Sequence, residues 1–249
     1  MTRPPLHATP DVAPDIASST DDYATRFAGP VGAYLLDRQT ACVRRAVAPL
    51  NAQTLLDVGG GHAQLINPMK SLGLDVTVLG SDLSCRQRPD QIAGPENYTF
   101  VTGPLTPLPF PDQSFDVVLA FRMLAHVADP QALIAELCRV ARQAVVVDHA
   151  TPLSFNALAP MLFKAKKKVE GNTRPYQMQS TAEIKKALNA AQWHKASSRG
   201  QFFWPMAIHR KLGRPALSRL AEAPATLLGL RQAFGSPRVT TAHPDQGPA

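Results

Sequence analysis

The stretch LLDVGGGHAQL, residues 55–65, decides the fold that this sequence predicts. It is a short apolar run that contains Asp57 and leads into three glycines, Gly59, Gly60 and Gly61. A segment of helical character comes next. Glycine tolerates unusual backbone angles and has no Cβ that would hold a ligand away. We therefore expect a strand, a tight turn and a helix, with the backbone of the turn close to a ligand.

Four apolar runs have the continuous pattern of strands that are buried on both faces, which is typical of parallel sheets. They are TLLDV at 54–58, DVTVLGSD at 75–82, FDVVLAF at 115–121 and AVVVDH at 144–149, and YTFV at 98–101 is a weaker fifth. Segments of helical pattern separate them. Strands that alternate with helices predict an α/β fold, a doubly wound, Rossmann-like, mostly parallel sheet.

The rest of the chain predicts additions to this core. We expect a poorly ordered tail over 1–20, then a single domain over 21–243, of which 21–50 is a helical cover, 53–150 the core and 151–243 an elaboration on the ligand side. Ser180 and Glu183 form the pattern of a capping box at the start of a helix. A helical insertion over 204–235 is expected between two late strands, with a break at Pro224.

The composition narrows the class of protein. The formal net charge is +7, and the clearest basic cluster is KAKKK at 164–168. We interpret this cluster as a solvated face, with contact to acidic lipid headgroups or an anionic substrate as the alternative. Three distant cysteines without metal-ligand spacing favour a reducing, cytoplasmic setting and predict no metal site. We identify neither a signal peptide nor a membrane-spanning run.

The glycine turn does not complete the dinucleotide fingerprint, because Gln64 stands where the third glycine of GxGxxG is required. Three ordered motifs instead resemble the class I S-adenosylmethionine-dependent methyltransferases. LLDVGGGHA resembles the first motif of that family, and VLGSDLS resembles the second. The run from LPFPD to RVAR, within 108–142, resembles the stretch through strand four and the next helix. The resemblance covers about residues 53–150 and is closest to the small-molecule, quinone-biosynthesis branch.

The resemblance implies S-adenosylmethionine as cofactor and assigns roles by position. Gly59, Gly60 and Gly61 pass beside its methionine and ribose parts, and Asp57 organises this loop and the methionine amine. Asp82 follows Gly61 at about the separation expected of a ribose-binding acid. A carboxylate suits this role because it offers two acceptor oxygens to the two ribose hydroxyls.

The remaining predicted cofactor contacts surround the adenine. The resemblance places Leu83 against the ring and Phe121 at the end of strand four. Pro104 stands where related enzymes often have an acidic residue, so we expect backbone atoms and Leu105 to hold the adenine instead. Ala63 replaces the last glycine of the loop.

The acceptor side offers three candidates for chemistry. Arg122 follows strand four and would orient an anionic acceptor, with a surface arginine as the alternative. His126 matches a histidine that usually packs or orients a loop in the family. His149 ends strand five, and we consider it as a general base or an acceptor contact. A base is needed only when the acceptor must lose a proton.

Aromatic side chains are the candidates for the walls of the acceptor pocket. We expect Tyr23 and Phe27 to fold over the cofactor as a lid. Tyr176, Phe203 and Trp204 are expected to shape a pocket for a bulky, apolar acceptor. Packing into the core is the alternative for each of them.

The sequence thus predicts an enzyme that methylates a small aromatic, lipid-like or natural-product acceptor by in-line displacement. Two alternatives stay open. An RNA methyltransferase fits the net charge, although no RNA-binding domain and no NPPY-like sequence after strand four are found, so a nucleic-acid partner is disfavoured. A degenerate, non-catalytic relative fits the changes at Ala63 and Pro104. The oligomeric state is not predicted.

Overall fold

A seven-stranded sheet forms the centre of the molecule in the computed structural model, which describes residues 13–154 and 177–245. The strands are β1 (Thr54–Val58), β2 (Asp75–Gly80), β3 (Thr99–Thr102), β4 (Phe115–Ala120), β5 (Ala141–His149), β6 (Lys195–Gly200) and β7 (Arg238–His243). Their order is β3-β2-β1-β4-β5-β7-β6. Among these strands only β7 runs in the opposite direction, so it pairs antiparallel with both β5 and β6. The predicted Rossmann-like, mostly parallel sheet is therefore confirmed.

Helices cover both faces of this sheet. In chain order they are α1 (Pro14–Ser18), α2 (Asp21–Thr25), α3 (Gly29–Val47), α4 (Ile66–Lys70), α5 (Gln87–Ala93), α6 (Pro130–Val140), α7 (Thr181–Ala190), α8 (Met206–Leu212), α9 (Pro215–Leu227) and α10 (Leu230–Phe234). Within the described ranges, no helix has the length and apolarity that a bilayer crossing requires.

Alternate residues of the central strands enter two separate cores, which explains why these strands read as continuous apolar runs. Leu56 and Val118 lie in the core shared with α6 and α7. Leu55 and Val117 lie in the core on the opposite face, shared with α3 and α4. Both cores consist of fully buried aliphatic side chains, so the carboxyl ends of β1, β4 and β5 are held on a rigid support.

The capping box at the start of α7 is formed as predicted. The Ser180 hydroxyl accepts a hydrogen bond from the Glu183 backbone N–H at 3.2 Å, and the Glu183 carboxylate accepts one from the Ser180 backbone N–H at 2.7 Å. The local sequence was sufficient here because both partners lie three residues apart.

Three local expectations are corrected. Residues 14–18, within the segment expected to be poorly ordered, form α1, because the buried Asp15 ties it to the body of the protein. The helix after the glycine turn begins only at Ile66 and has five residues. Pro224 lies inside α9 rather than ending it, and the chain turns at Gly229, which has a φ of +71°.

Candidate active site

The glycine turn begins where β1 ends, and two of its glycines lie against buried side chains. Gly59 has a φ of +70°, and a Cβ added there would overlap the Met123 sulfur. A Cβ on Gly60 would lie 2.5 Å from the Asp57 carboxylate. Side chains at either position would displace these neighbours, so the close backbone course depends on glycine.

Asp57 carries its carboxyl group directly beneath this turn and is 4% exposed. Burial raises the pKa of Asp57 to about 7, and the positive charge of Arg122 opposes that rise. A desolvated carboxyl group of this kind gains most from a nearby cation. Its position under the loop therefore suits a ligand that presents an ammonium group to the turn.

His62, which the sequence analysis did not single out, lies in the same loop. Its ring is buried, and neither ring nitrogen has a hydrogen-bond partner among the described residues. The ring meets Tyr23 and Phe27 edge-on, at centroid distances of 6.0 and 5.4 Å. Burial, with the charges of Arg122 and Arg88, lowers the pKa of His62 to about 3, so the ring is neutral. Tyr23 and Phe27 thus lie over the glycine turn, where a lid was expected.

Asp82 and Leu83 follow β2 at the same edge of the sheet. The Asp82 carboxylate is exposed, and hydrogen bonds from the Ser84 hydroxyl and the Ser84 backbone N–H, the latter at 2.8 Å, lower its pKa. The carboxylate therefore caps the turn that follows while it stays accessible to solvent. Leu83 is 64% exposed, so its side chain is accessible to a ligand at this edge of the sheet.

The residues predicted to surround the adenine differ in their burial. Pro104 is exposed, whereas Leu105 packs in the core beside Leu79 and Met123. Phe121 is 5% exposed, packs into the opposite core and is not part of the lining of the cavity described below. The contact of Phe121 with the cofactor stays a prediction.

The helix α1 closes over this edge of the sheet. The Asp15 carboxylate accepts hydrogen bonds from the Ser81 backbone N–H and the Ser81 hydroxyl, both at 2.6 Å. A Cβ added to Gly61 would overlap the Ser19 hydroxyl. Gly61 is therefore needed for the close approach of the N-terminal segment as well as for the turn itself.

A cavity of about 160 Å³ lies beyond the carboxyl ends of β4 and β5, next to the glycine turn. It brings together five residues that the sequence singled out, namely Tyr23, Phe27, Arg122, His126 and His149. Its wall also contains residues that the sequence analysis missed, chiefly Gln39, Asp148, Gln201, Phe202 and Met206. The lining is mostly apolar, with a polar group of side chains on the strand side.

Arg122 links the cavity to the glycine turn. Its backbone has a φ of +60°, a left-handed conformation that is uncommon away from glycine and often found at functional sites. Its guanidinium donates hydrogen bonds to Gln39 at 3.1 Å and to Gln64 at 2.9 Å, and lies 5.5 Å from the Phe27 ring centre. Arg122 is thus a fixed, partly buried cation rather than a freely solvated surface arginine.

Asp148 is the buried carboxylate of the cavity. It accepts hydrogen bonds from the Arg122 backbone N–H at 2.5 Å and from the Gln39 side-chain amide at 2.9 Å. Burial raises the pKa of Asp148 to about 6, and these hydrogen bonds and the Arg122 charge limit the rise. A carboxylate with a pKa near neutrality is able to accept a proton from a bound molecule.

His149 does not have the geometry expected of a general base. Its Nδ1 lies 2.9 Å from the Gln179 carbonyl oxygen and must donate to it, and its Nε2 lies 3.2 Å from the Thr240 hydroxyl. Burial lowers the pKa of His149 to about 4. Both ring nitrogens are engaged, so the ring fixes the end of β5 in place. This arrangement corrects the expectation that His149 takes a proton from the acceptor.

The structure places Phe202, rather than the two aromatic residues after it, in the wall of the cavity. The backbone N–H groups of Phe203 and Trp204 donate to the Glu222 carboxylate at 3.0 Å, and the Trp204 indole N–H donates to the Ala221 carbonyl oxygen at 3.0 Å. The roles of Phe203 and Trp204 in binding the acceptor stay predictions. Tyr176 and the KAKKK cluster lie outside the described residues.

The sequence of this chain is similar to those of known methyltransferases. A family model described as a methyltransferase domain matches residues 56–147. The demethylmenaquinone methyltransferase of Renibacterium salmoninarum is 32% identical over 164 residues, which are 61% of this chain and 65% of that protein, so the match spans about two thirds of that relative. The ubiquinone biosynthesis O-methyltransferase of Sinorhizobium fredii is 27% identical over 67% of this chain and 70% of its own length.

A solved structure shows the same fold. The magnesium protoporphyrin IX methyltransferase of Synechocystis PCC 6803, crystallised with bound SAH, superposes with a TM-score of 0.61. The match covers 90% of this chain and 94% of that one, at 18% sequence identity. At this identity the likeness concerns the fold alone.

Proposed function

Because the chain belongs to the class I S-adenosylmethionine-dependent methyltransferases, we propose that it methylates a small hydroxylated aromatic acceptor of the quinone type. The names of the two curated relatives support this choice of acceptor class. The apolar cavity next to the glycine turn, with one carboxylate on its wall, supports it independently.

The residues at the glycine turn fit S-adenosylmethionine. In this proposal the methionine amine lies near Asp57, whose buried carboxyl lacks a hydrogen-bonded cation among the described residues. The ribose hydroxyls donate to Asp82, and the adenine covers the exposed Leu83. The backbone at Gly59 and Gly60 passes beside the cofactor without Cβ atoms in the way.

The bound cofactor would supply a methyl group on a positively charged sulfur, ready for transfer to a nucleophile. The protein would supply the rest. Phe27 and Phe202 hold an aromatic ring in the cavity and exclude water, and Arg122 attracts the negative charge that develops on the acceptor. The closed, pre-ordered wall accounts for much of the expected rate, since positioning dominates such displacements.

Asp148 would take the proton that the acceptor must lose. The observation that carries the proposal is this buried carboxylate on the cavity wall, with its pKa raised to about 6. The hydroxyl proton of the acceptor would move to Asp148, and the electron pair of the resulting oxyanion would form the new bond to the methyl carbon as the bond from that carbon to sulfur breaks. On reduced demethylmenaquinone the new bond would form at the ring carbon next to the oxyanion, and the proton on that carbon would then be lost to solvent, which restores the aromatic ring. Asp148 replaces His149 as the proposed general base.

The experiment is a methyl-transfer assay with the reduced form of demethylmenaquinone as the acceptor. Asp148→Asn is expected to lower kcat by about 100-fold or more, since general bases contribute on that order. In the wild-type protein kcat should fall as the pH drops below about 6, because Asp148 must be ionised to accept the proton. The variant should lose this pH dependence.

Asp75→Asn is the matched control, because Asp75 is an exposed aspartate at the far end of β2. It should leave kcat unchanged. An Asp148→Asn variant with wild-type kcat and an unaltered pH profile would exclude Asp148 as the base.

Contact with a membrane surface stays a prediction, since the KAKKK cluster lies outside the described residues. The cytoplasmic location also stays a prediction.

A further inference from the structure

A second cleft, of about 470 Å³, lies on the far side of Gln201 from the methyl-acceptor cavity. This volume is within the range of roughly 300–1,000 Å³ that is usual for small-molecule sites. Its wall is made by α3, the end of β6, α9 and α10, and it contains five arginines: Arg38, Arg45, Arg199, Arg219 and Arg231. One carboxylate, that of Asp37, lies on the same wall. The proposed methyl transfer uses none of these residues.

The arginines are not neutralised within the described part of the protein. No ion pair joins any of the five to an aspartate or glutamate there, in contrast to Arg139 and Arg142 elsewhere. Arg38 and Arg219 both lie against the Tyr34 ring, with their guanidinium carbons 5.8 and 5.4 Å from its centre. Arg231 is partly buried, and burial together with the nearby Arg38 charge lowers its pKa. Concentrated positive charge of this kind is stabilised by a bound anion.

Two residues of this wall, Tyr34 and Gln201, carry buried hydrogen-bond donors that have no partner among the described residues. The Tyr34 hydroxyl belongs to a residue that is 6% exposed, and the Gln201 amide nitrogen to one that is 2% exposed. Neither atom has a hydrogen-bond partner among the described residues. Buried donors are nearly always satisfied, so two orphans beside a group of arginines indicate acceptors that a ligand would supply.

Close contacts between secondary-structure elements fix the shape of the cleft. A Cβ on Gly200 would overlap the Arg231 carbonyl oxygen, so β6 ends in direct contact with α10. The Arg38 guanidinium donates to the Gln201 carbonyl oxygen at 3.3 Å and lies 5.4 Å from the centre of the Phe202 ring. The cleft thus gathers arginines from four elements, α3, β6, α9 and α10, around one space.

We propose that this cleft binds a polyanionic phosphate group, such as a diphosphate, through its arginines, the Tyr34 hydroxyl and the Gln201 amide. Phosphate oxygens accept from several donors at once, and arginine presents paired N–H groups that match them. Gln201 and Phe202 also line the methyl-acceptor cavity, so the anion site adjoins the proposed active site without being part of it.

The first test is calorimetric titration of the full chain with pyrophosphate, with sodium chloride holding the ionic strength constant. The wild-type protein should bind at a single saturable site. The double variant Arg199→Gln/Arg231→Gln should bind about tenfold more weakly or worse, because it loses two charged contacts. Arg214→Gln removes one charge from the same helical insertion, outside the cleft, and should bind as the wild type does.

Tyr34→Phe separates a binding role from a structural one. It removes only a hydroxyl that has no partner among the described residues, so the circular dichroism spectrum and unfolding midpoint should be retained. Its affinity for pyrophosphate should still fall. Unchanged affinity in both Tyr34→Phe and the double variant would overturn the proposal.

Vesicle flotation identifies the source of the phosphate. Binding to phosphatidylglycerol but not phosphatidylcholine vesicles, lost in the double variant, would assign the site to lipid headgroups. Pyrophosphate binding without vesicle binding would assign it to a free phosphate ligand. If neither probe distinguishes the wild type from the double variant, the site does not exist. Titration of the same variants with S-adenosylmethionine should match the wild type, so this test and that of the methyl transfer fail separately.

Discussion

Asp57 is a single buried carboxyl group that costs the free protein stability at neutral pH. Its pKa is about 7 in the fold, against an ordinary value of 3.8, because burial disfavours the charged form. The folded protein therefore binds more protons than the unfolded chain between these two values, and its stability falls as the pH rises through that range. A cationic ligand beside the carboxylate would remove this cost.

The Asp57→Asn variant tests this cost directly. Relative to the wild type without cofactor, its free energy of unfolding should improve by about 2–3 kcal/mol more at pH 8 than at pH 5, since one pKa unit corresponds to about 1.4 kcal/mol. Urea unfolding at the two pH values measures the difference. Asp75→Asn, at an exposed position, should show no such change. An equal effect of Asp57→Asn at both pH values would refute the raised pKa.

Asp82 is expected to act on the ligand and hardly at all on the fold, because its carboxylate is exposed. Asp82→Ala should weaken S-adenosylmethionine binding by about tenfold or more through the loss of charged hydrogen bonds to the ribose. The unfolding midpoint should change little, apart from the loss of a cap on a short turn. Calorimetry measures the affinity, and Asp75→Ala is the control. An unchanged dissociation constant would remove Asp82 from the site.

Asp57, the glycines and Asp82 were candidates from sequence because each predicted role follows from neighbouring residues. Asp148, the proposed base, was not a candidate, although His149 beside it was. The reason is that their roles depend on partners far along the chain, Gln39 for Asp148 and Thr240 for His149. The place of Phe202 in the cavity wall likewise depends on residues distant in sequence, because its ring packs against Tyr34.

Among the elements, the C-terminal helical insertion depends most on one buried side chain. Glu222 on α9 is 2% exposed, accepts from the backbone N–H groups of Phe203 and Trp204, and lies 3.2 Å from the His209 ring on α8. Although burial opposes ionisation, the hydrogen bonds from His209 and these two backbone groups lower the pKa of Glu222. The carboxylate thus joins α8, α9 and the segment after β6.

Glu222→Ala should destabilise the protein by about 3 kcal/mol, because it leaves buried donors without their acceptor. Urea unfolding monitored by tryptophan fluorescence measures the loss, since Trp204 reports on this region. Glu222→Gln should be milder, as its amide oxygen still accepts. Glu96→Ala, at an exposed position, is the control. A Glu222→Ala variant as stable as the control would show that the insertion is held by other contacts.

The helix α1 is the element that the sequence analysis missed. Its proline-rich surroundings predicted disorder through residue 20, and five residues are too few for a periodic apolar pattern. Its order comes instead from the hydrogen bonds of Asp15 to Ser81 and from the contact of Ser19 with Gly61. Contacts over such separations are not visible in local sequence.

At the scale of the whole molecule, the sheet and its cofactor edge were predictable and the acceptor side was not. Continuous apolar runs fix parallel strands that are buried on both faces, and the motif order resembled that of one family. The direction of β7 has no comparable signal, because it depends on where the insertion between β6 and β7 packs on α3. The cavity and the arginine cleft both adjoin this part of the chain.

The most direct measurement of the central claim is calorimetric titration of the purified full chain with S-adenosylmethionine and with S-adenosylhomocysteine. Saturable binding of both, with dissociation constants in the micromolar range, is the expected result. A sample that is folded by circular dichroism and binds neither compound would contradict the claim that the glycine turn, Asp57 and Asp82 form a cofactor site.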